Sequence, residues 1–438
     1  MLASTLRTVG RTATRQFSIA PSLVSTATSL SEPLPGLPES TPVAASGSVA
    51  AETTTLPNGV RVVSADLAGH TASIRLRVQS GSRVETDDTA GMAQFLAHAA
   101  FKNTSQRSAV KFAMDIEDLG GEFSANATRE SVTYSADVLK GSVSEAVGLL
   151  AETALDSQFQ PWTVETIRDG AFQAELDARL SNVTVVLSEA LHAAAFYDNS
   201  SLGQPLFSDA SGLDADSVGA FVAAYHGAGN IVLAGAGVSH AELVSAATAS
   251  LGSAPAASGA AATPSAFVGG EQRIKARADG THVGIAFAGA ASGDAQKAAV
   301  YGVLATLIEA EGVSAFNATY AETGMFGMYG SGDASAVVDA MVATLKGISA
   351  GVDAKALGAA KASLKATIAG ADGSRAATAT SLASGAAASS VVSGMADAVS
   401  AADVQSAAKA ALASKPAVAS FGSMVSMPHL DQIMAKLA

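Results

Sequence analysis

There is no cysteine anywhere in the 438 residues. That absence removes disulfides, thiolate metal sites and cysteine nucleophiles together. Long apolar runs are missing as well. Hydrophobic residues make up 48% of the chain, much of it alanine, yet no run approaches the roughly 18 consecutive residues that a membrane-spanning helix requires. Positive charge is scarce: 26 Lys and Arg stand against 39 Asp and Glu, for a formal net charge of −13. Counterion release from a nucleic acid needs a basic surface, so no nucleic-acid partner is expected. What the chain does have is length, more than one hydrophobic core usually fills, and this suggests two or more domains.

The little positive charge is unevenly placed. Arg7, Arg11 and Arg15 recur at a spacing of four among Leu2, Leu6, Val9, Ser and Thr, and no acidic residue precedes Glu32. An amphipathic, arginine-rich, acid-poor start is the pattern of a mitochondrial transit peptide. Arg15 stands three residues before Ser18, which puts the cut after Phe17 and the transit peptide at 1–17. The other reading is a basic helix retained for membrane or partner contact. From 18 to 51 the chain carries Pro33, Pro35, Pro38 and Pro42 among Ser and Ala, which predicts a flexible arm. Residues 252–265, rich in Gly, Ala, Ser and Pro, contain no charge at all and form the best linker candidate.

On either side of that linker the same order of elements recurs. In the first half Ile74, Leu76 and Val78 alternate as in a strand, a helical run covers 91–102, and Asn126-Ala127-Thr128 precedes a second alternation through Val132 and Tyr134. In the second, Val283, Ile285 and Phe287 alternate, 294–311 is helical, and Asn317-Ala318-Thr319 precedes Phe326 and Met328. Repeated order with matching tripeptides implies two copies of one α/β unit. Each copy is expected to bury one sheet face under its own helices, leaving the remaining apolar surface to another chain. Ser239 with Glu242 reads as a capping box, Gly252 as a C-terminal cap, and 374–415 as two or three packed helices. Gly120-Gly121 lacks the residues of a phosphate loop and predicts a tight helix-to-strand turn.

The most informative stretch runs from Gly91 to Lys102, where Gln94, Ala97 and His98 occupy the places of His, Glu and His in the zinc-peptidase sequence H-x-x-E-H. Two imidazoles at i and i+4 share a helix face and can grip one zinc ion, while the Glu takes a proton from the metal-bound water. Gln94 is a poor zinc ligand and Ala97 has no basic atom, so a ligand and the general base are lost together. His70, His192, His226, His240, His282 and His429 show no metal-ligand spacing with one another or with His98. The three Asn-x-Thr tripeptides, at Asn126, Asn182 and Asn317, are discounted as glycosylation sites because the expected compartment is wrong.

This degenerate motif resembles that of the mitochondrial processing peptidase family, in which the last zinc ligand is a Glu. Seventy-six residues separate His98 from Glu175, the matching position, although a Glu on a predicted helix is equally well a solvated surface residue. The segments 191–197, 202–206, 235–240 and above all 313–329 resemble one branch of the family, the core protein 2 subunits of ubiquinol–cytochrome c reductase, respiratory complex III. The alpha subunits of the peptidase carry a glycine-rich loop, and none is found between 290 and 330. The resemblance implies an α+β fold of two homologous domains, 52–251 and 266–438, each a mixed β-sheet backed by helices, facing each other across a cavity. It implies a non-catalytic structural subunit, peripheral on the matrix side of the mitochondrial inner membrane. Core protein 1 and other complex III subunits would be its partners, and it would hold no catalytic residue, metal or cofactor of its own. The alternative is a non-catalytic alpha-type subunit that binds presequences; residual presequence binding in the cavity is left open.

Overall fold

Alternating apolar residues set the strands. In the third strand Ala72, Ile74, Leu76 and Val78 are all fully buried on one face, as the period of two requires. The computed structural model describes residues 51–196, 201–210, 212–259, 262–277, 280–372, 374–385 and 389–437. The expected transit peptide at 1–17 and all but the last residue of the arm lie outside them.

The first half runs β1 (Glu52–Thr55), β2 (Arg61–Ala65), β3 (Thr71–Val78), α1 (Met92–Ala99), α2 (Ala109–Leu119), β4 (Glu122–Ala127), β5 (Val132–Leu139), α3 (Val143–Leu155) and α4 (Pro161–Ile167). A π-helical turn (Arg168–Phe172) leads into α5 (Gln173–Leu180), followed by α6 (Val183–Ala195), α7 (Ala215–Tyr225), β6 (Ile231–Ala236) and α8 (His240–Leu251). The second half runs β7 (Glu271–Lys275), β8 (Thr281–Ala288), α9 (Ala295–Ala310), β9 (Ser314–Thr319), β10 (Gly324–Gly332) and α10 (Ala334–Ala350). Then come α11 (Ala354–Asp372), α12 (Arg375–Ser384), α13 (Ser389–Ala398), α14 (Ala401–Ala413), β11 (Ala417–Gly422) and α15 (Leu430–Leu437).

The first sheet has the order β1-β2-β6-β3-β5-β4 and the second β7-β11-β8-β10-β9. Dropping β1 makes the two orders identical, each with a single parallel pair, β2 with β6 and β7 with β11. The fold is therefore α+β with two related mixed sheets. The matching tripeptides sit one residue out of step, since Ala127 closes the first hairpin opposite Val132 whereas Thr319 closes the second opposite Gly324.

One expectation is overturned. Each sheet buries its second face within the chain, under a helix from the other half. Helix α6 lies across β7, β8 and β11, and α12 lies across β2, β3 and β6. On the first of these contacts Leu187, Leu191 and Ala194 pack with Ala286, Ala417 and Ala419; on the second, Ala379 and Ala383 are buried. The exchange explains why Ser73 and Arg75, on the opposite face of β3 from the apolar set, are also buried. Helix α12 is held at both ends: Arg375 donates to the Ala68 carbonyl and the Thr71 hydroxyl, and Arg77 donates to the Ala383 carbonyl.

Local signals behave unevenly. Gly120 adopts φ 62° at the end of α2, and a Cβ on Gly121 would sit 2.5 Å from Val138, so the tight turn is real. Helix α8 starts after Ser239, but that hydroxyl reaches the Glu242 carboxylate at 3.5 Å and caps no backbone N–H. Gly252 ends α8 with φ −62°, right-handed instead of the left-handed cap expected. The chain from 374 to 415 does form three helices, the first of which packs on the other half's sheet.

Candidate functional site

Helix α1 owes its start to Gly91 and Glu85. Gly91 takes φ 84°, a conformation open to glycine, and turns the chain into the helix. Glu85 then reaches back so that its carboxylate accepts from the Gly91 N–H at 2.8 Å and the Ala93 N–H at 2.7 Å. These are donors that a helix leaves without partners in its first turn. Burial pushes the Glu85 carboxyl up to about 7, against the two backbone bonds that favour its charged form. The helix ends at Ala99, and two residues on Phe101 takes a φ of 58°, unusual for a side chain of that size; its ring lies against Phe112, Phe123 and Tyr134.

Along α1, Gln94 and His98 fall on one face, toward α5. Glu175 is there, where the family resemblance placed it: its Oε2 is 2.9 Å from His98 Nε2 and its Oε1 accepts from Gln94 Nε2 at 3.4 Å. The approach of Glu175 to the His98 ring is too bent for a hydrogen bond, so the pair is a close contact and Nε2 has no hydrogen-bond partner. Gln94 is 8% exposed, and its Oε1 is likewise buried without a partner. Phe172, from the π-helical turn, meets the His98 ring edge-on at 5.7 Å. Arg179, one turn beyond Glu175, brings Nε and Nη2 each to 3.1 Å from Glu175 Oε1 and stacks its guanidinium over Phe207 at 5.3 Å. Gln94, His98, Phe172, Glu175, Leu176 and Phe207 enclose about 10 Å³, the room of one water at most. Ala97 packs its methyl on the first-half core.

These residues do not fit a zinc ion. A catalytic zinc site takes three His or carboxylate ligands and leaves a fourth position for water. Here there is one imidazole, one carboxylate already facing a guanidinium, and an amide. Among the described residues no three His, Asp or Glu side chains converge to hold a metal. With Ala97 in the place of the Glu, the motif's own general base is gone as well.

Four other histidines serve the fold. His192 Nδ1 donates to the Ser188 carbonyl, and its Nε2 accepts from the Tyr320 hydroxyl at 2.5 Å, joining α6 to the β9–β10 hairpin. Burial pulls its pKa down to about 3, helped by the nearby Arg129. His226 Nδ1 donates to the Ala154 carbonyl at 2.9 Å while Ser80 donates to Nε2, and burial depresses it to about 4. His240 bonds Thr54 and Ser64, and His282 bonds Tyr329. Sequence reasoning missed Arg179 and Glu85. The first had a signal, an opposite charge four residues from Glu175 on one helix; the second had none, because its contacts depend on the loop from 86 to 91.

Residues 61–210 match the family Insulinase (Peptidase family M16), and residues 212–364 match the Peptidase M16 inactive domain. The probable mitochondrial-processing peptidase subunit alpha-2, chloroplastic/mitochondrial, of Arabidopsis thaliana is 30% identical over 72% of this chain and 70% of its own length. The probable mitochondrial-processing peptidase subunit beta of the same plant is 30% identical over 65% of this chain and 60% of its own length. The mitochondrial-processing peptidase subunit alpha of Solanum tuberosum is 33% identical over 53% of this chain and 46% of its own length. The chain thus spans under two thirds of the last two relatives.

Proposed function

The chain belongs to peptidase family M16, and on that premise we propose that it is a non-catalytic structural core subunit, of the core protein 2 type, of mitochondrial ubiquinol–cytochrome c reductase. The observation that carries a non-catalytic role is the cluster of Gln94, Ala97, His98 and Glu175: the geometry of a peptidase site survives while a ligand and the general base are gone. On this reading no residue of the chain is catalytic and none holds a metal or cofactor.

Short connections support core protein 2 over the alpha subunit. Only 289–294 separate β8 from α9, 311–313 separate α9 from β9, and 320–323 close the β9–β10 hairpin, so no glycine-rich loop fits between 290 and 330. The specific observation favouring an alpha-type, presequence-binding subunit is the likeness to two plant alpha subunits. Both readings place the chain in mitochondria as one member of a heteromeric assembly; the first adds the matrix side of the inner membrane and core protein 1 as partner. Domain limits on this reading are a transit peptide at 1–17, an arm at 18–51, and peptidase-like domains at 52–251 and 266–438 joined by 252–265. Among the described residues no single helix is long and apolar enough to cross a membrane, so attachment would come from subunit contacts.

A native gel of mitochondrial membranes tests this. Comigration with haem-bearing cytochromes, and loss of assembled complex when the chain is depleted, is the expected result. Intact complex with accumulating unprocessed precursors would establish the alpha-type reading instead.

A further inference from the structure

We infer that Arg179 is a tethered cation that has taken over the charge position of the family's metal, so that the site is closed by the protein itself and not merely short of ligands. In a working site the carboxylate of Glu175 would turn a lone pair to the ion. Here Oε1 faces Nε and Nη2 of Arg179 at 3.1 Å each, and Oε2 faces His98. The guanidinium has a second anchor, the face of Phe207 at 5.3 Å, a favourable place for a planar cation. Phe207 also lines the cavity, whose 10 Å³ leaves no volume for an ion with a water beside it. The two polar atoms without partners, Gln94 Oε1 and His98 Nε2, mark the side of the cluster that Arg179 does not satisfy. A divalent ion entering there would have to displace a guanidinium held 3.1 Å from the carboxylate it needs; the Arg179 side chain is 49% exposed, so this competition should weaken as salt is added. Restoring the motif on α1 alone would therefore not restore metal binding.

The test takes the full chain in three forms: wild type, Gln94→His with Ala97→Glu, and the same pair with Arg179→Met, which keeps the length of the side chain and removes its charge. Zinc is titrated against a competing chelator, and an unfolding curve is recorded for each form. Wild type and the double variant should hold no stoichiometric zinc. The triple variant should hold about one ion, at least tenfold more tightly than the double variant. Arg179→Lys in the double-variant background should bind as poorly as Arg179 does, because the cation is kept. Equal zinc binding by the double and triple variants overturns the inference, and so does a folded triple variant that takes no zinc. If the Met variant does not fold, Arg179→Gln carries the same comparison. Nothing in these outcomes depends on complex III, so a failure here is distinct from a failure of the proposed assembly.

Discussion

The two halves share a strand order but not every helix, since α2 has no counterpart between α9 and β9, and they differ again between the second strand pair and the exchanged helix. In the second half that stretch is one continuous helix, α11. In the first it is α4, a π-helical turn and α5. A single inserted residue is how a π turn arises inside a helix, and such turns gather at functional sites. This one turns Phe172 onto His98 and ends three residues before Glu175. The helices facing them differ in the same sense. Helix α1 presents Gln94 and His98 to α5, whereas α9 buries Ala299, Val303, Leu304 and Leu307 in an apolar core. The first half keeps the shape of a reactive site after losing its chemistry, and the second is a scaffold of the same topology.

The exchanged helices provide the sharpest way to break the comparison. Helix α6 packs by bulk: Leu187 and Leu191 are 1% and 2% exposed, and a Cβ on Gly284 would lie 2.7 Å from Leu191. Helix α12 packs by close approach, through Ala379 and Ala383. Leu191→Ala should cost about 3 kcal/mol by opening a cavity, read as a lower urea midpoint with unchanged slope. Ala379→Leu should cost about 1–3 kcal/mol by overpacking. Similar losses from Ala379→Gly and Leu191→Ala would show that the two contacts work alike.

Acid should act chiefly through the first half, which contains His226 and His192. Each has a folded pKa, about 4 and about 3, below its ordinary value. The unfolded chain therefore binds the extra protons, and the stability these groups contribute is present at neutral pH and lost as pH falls from about 6.5 toward 4. Glu85 works the other way. Its folded value near 7 lies above 4.5, so its contribution is present below 4.5 and lost as pH rises to 7. With two groups against one, stability should rise with pH between 4.5 and 6.5, by about 1 kcal/mol per pH unit. His226→Gln, which keeps a donor for the Ala154 carbonyl, should flatten that slope to near zero, and Glu85→Ala should about double it. A profile unchanged by His226→Gln would mean that the ring does not titrate with folding.

The equivalent helices α1 and α9 are capped in different ways. Asp294 caps α9 locally, its carboxylate accepting from the Lys297 N–H at 3.1 Å, and Asp294→Ala should cost about 1 kcal/mol. Glu85 caps α1 from outside and is 7% exposed, so Glu85→Ala should cost about 2 kcal/mol near pH 5, where most of its contribution remains. Thermal unfolding at pH 5 ranks the two.

Much of this was legible in the sequence because it is local. Alternation gave β3, β5, β8 and β10, and the helical runs gave α1 and α9. The family's spacing from the degenerate motif to Glu175 led to a residue that the structure sets against His98. What could not be read is what depends on long-range packing. Helices α6 and α12 carry ordinary amphipathic patterns, and nothing in them says that their apolar sides face the other half. The partner of Glu175 was visible as an i,i+4 pair, but its meaning depends on Phe207 and on the volume left between two helices. Ser239 and Glu242 had the spacing of a capping box, and the hydroxyl went to the carboxylate instead.

Two glutamates stand at matching places in the two hairpins, Glu130 and Glu322, and the second carries the smallest expected effect. Arg83 joins them, donating from Nη1 to Glu130 Oε1 and from Nη2 to Glu322 Oε2, both at 3.2 Å. Glu130 also accepts from the Ala321 N–H of the opposite hairpin at 2.8 Å and lies 3.5 Å from Arg77. Glu322 accepts from the Ser265 N–H at 3.0 Å. The side chains differ in exposure, 18% for Glu130 and 40% for Glu322. A charge pair near water contributes little, while one with several donors and less water contributes more. Glu130→Gln should therefore cost about 2 kcal/mol, because the shielded Arg77 and Arg83 lose their shared counter-charge. Glu322→Gln should cost about 0.5 kcal/mol, most of it removed by about 0.5 M salt. Urea unfolding of both variants at low and high salt separates the two. Equal losses would mean that the hairpins clasp the halves symmetrically, whereas the structure places most of the burden on Glu130.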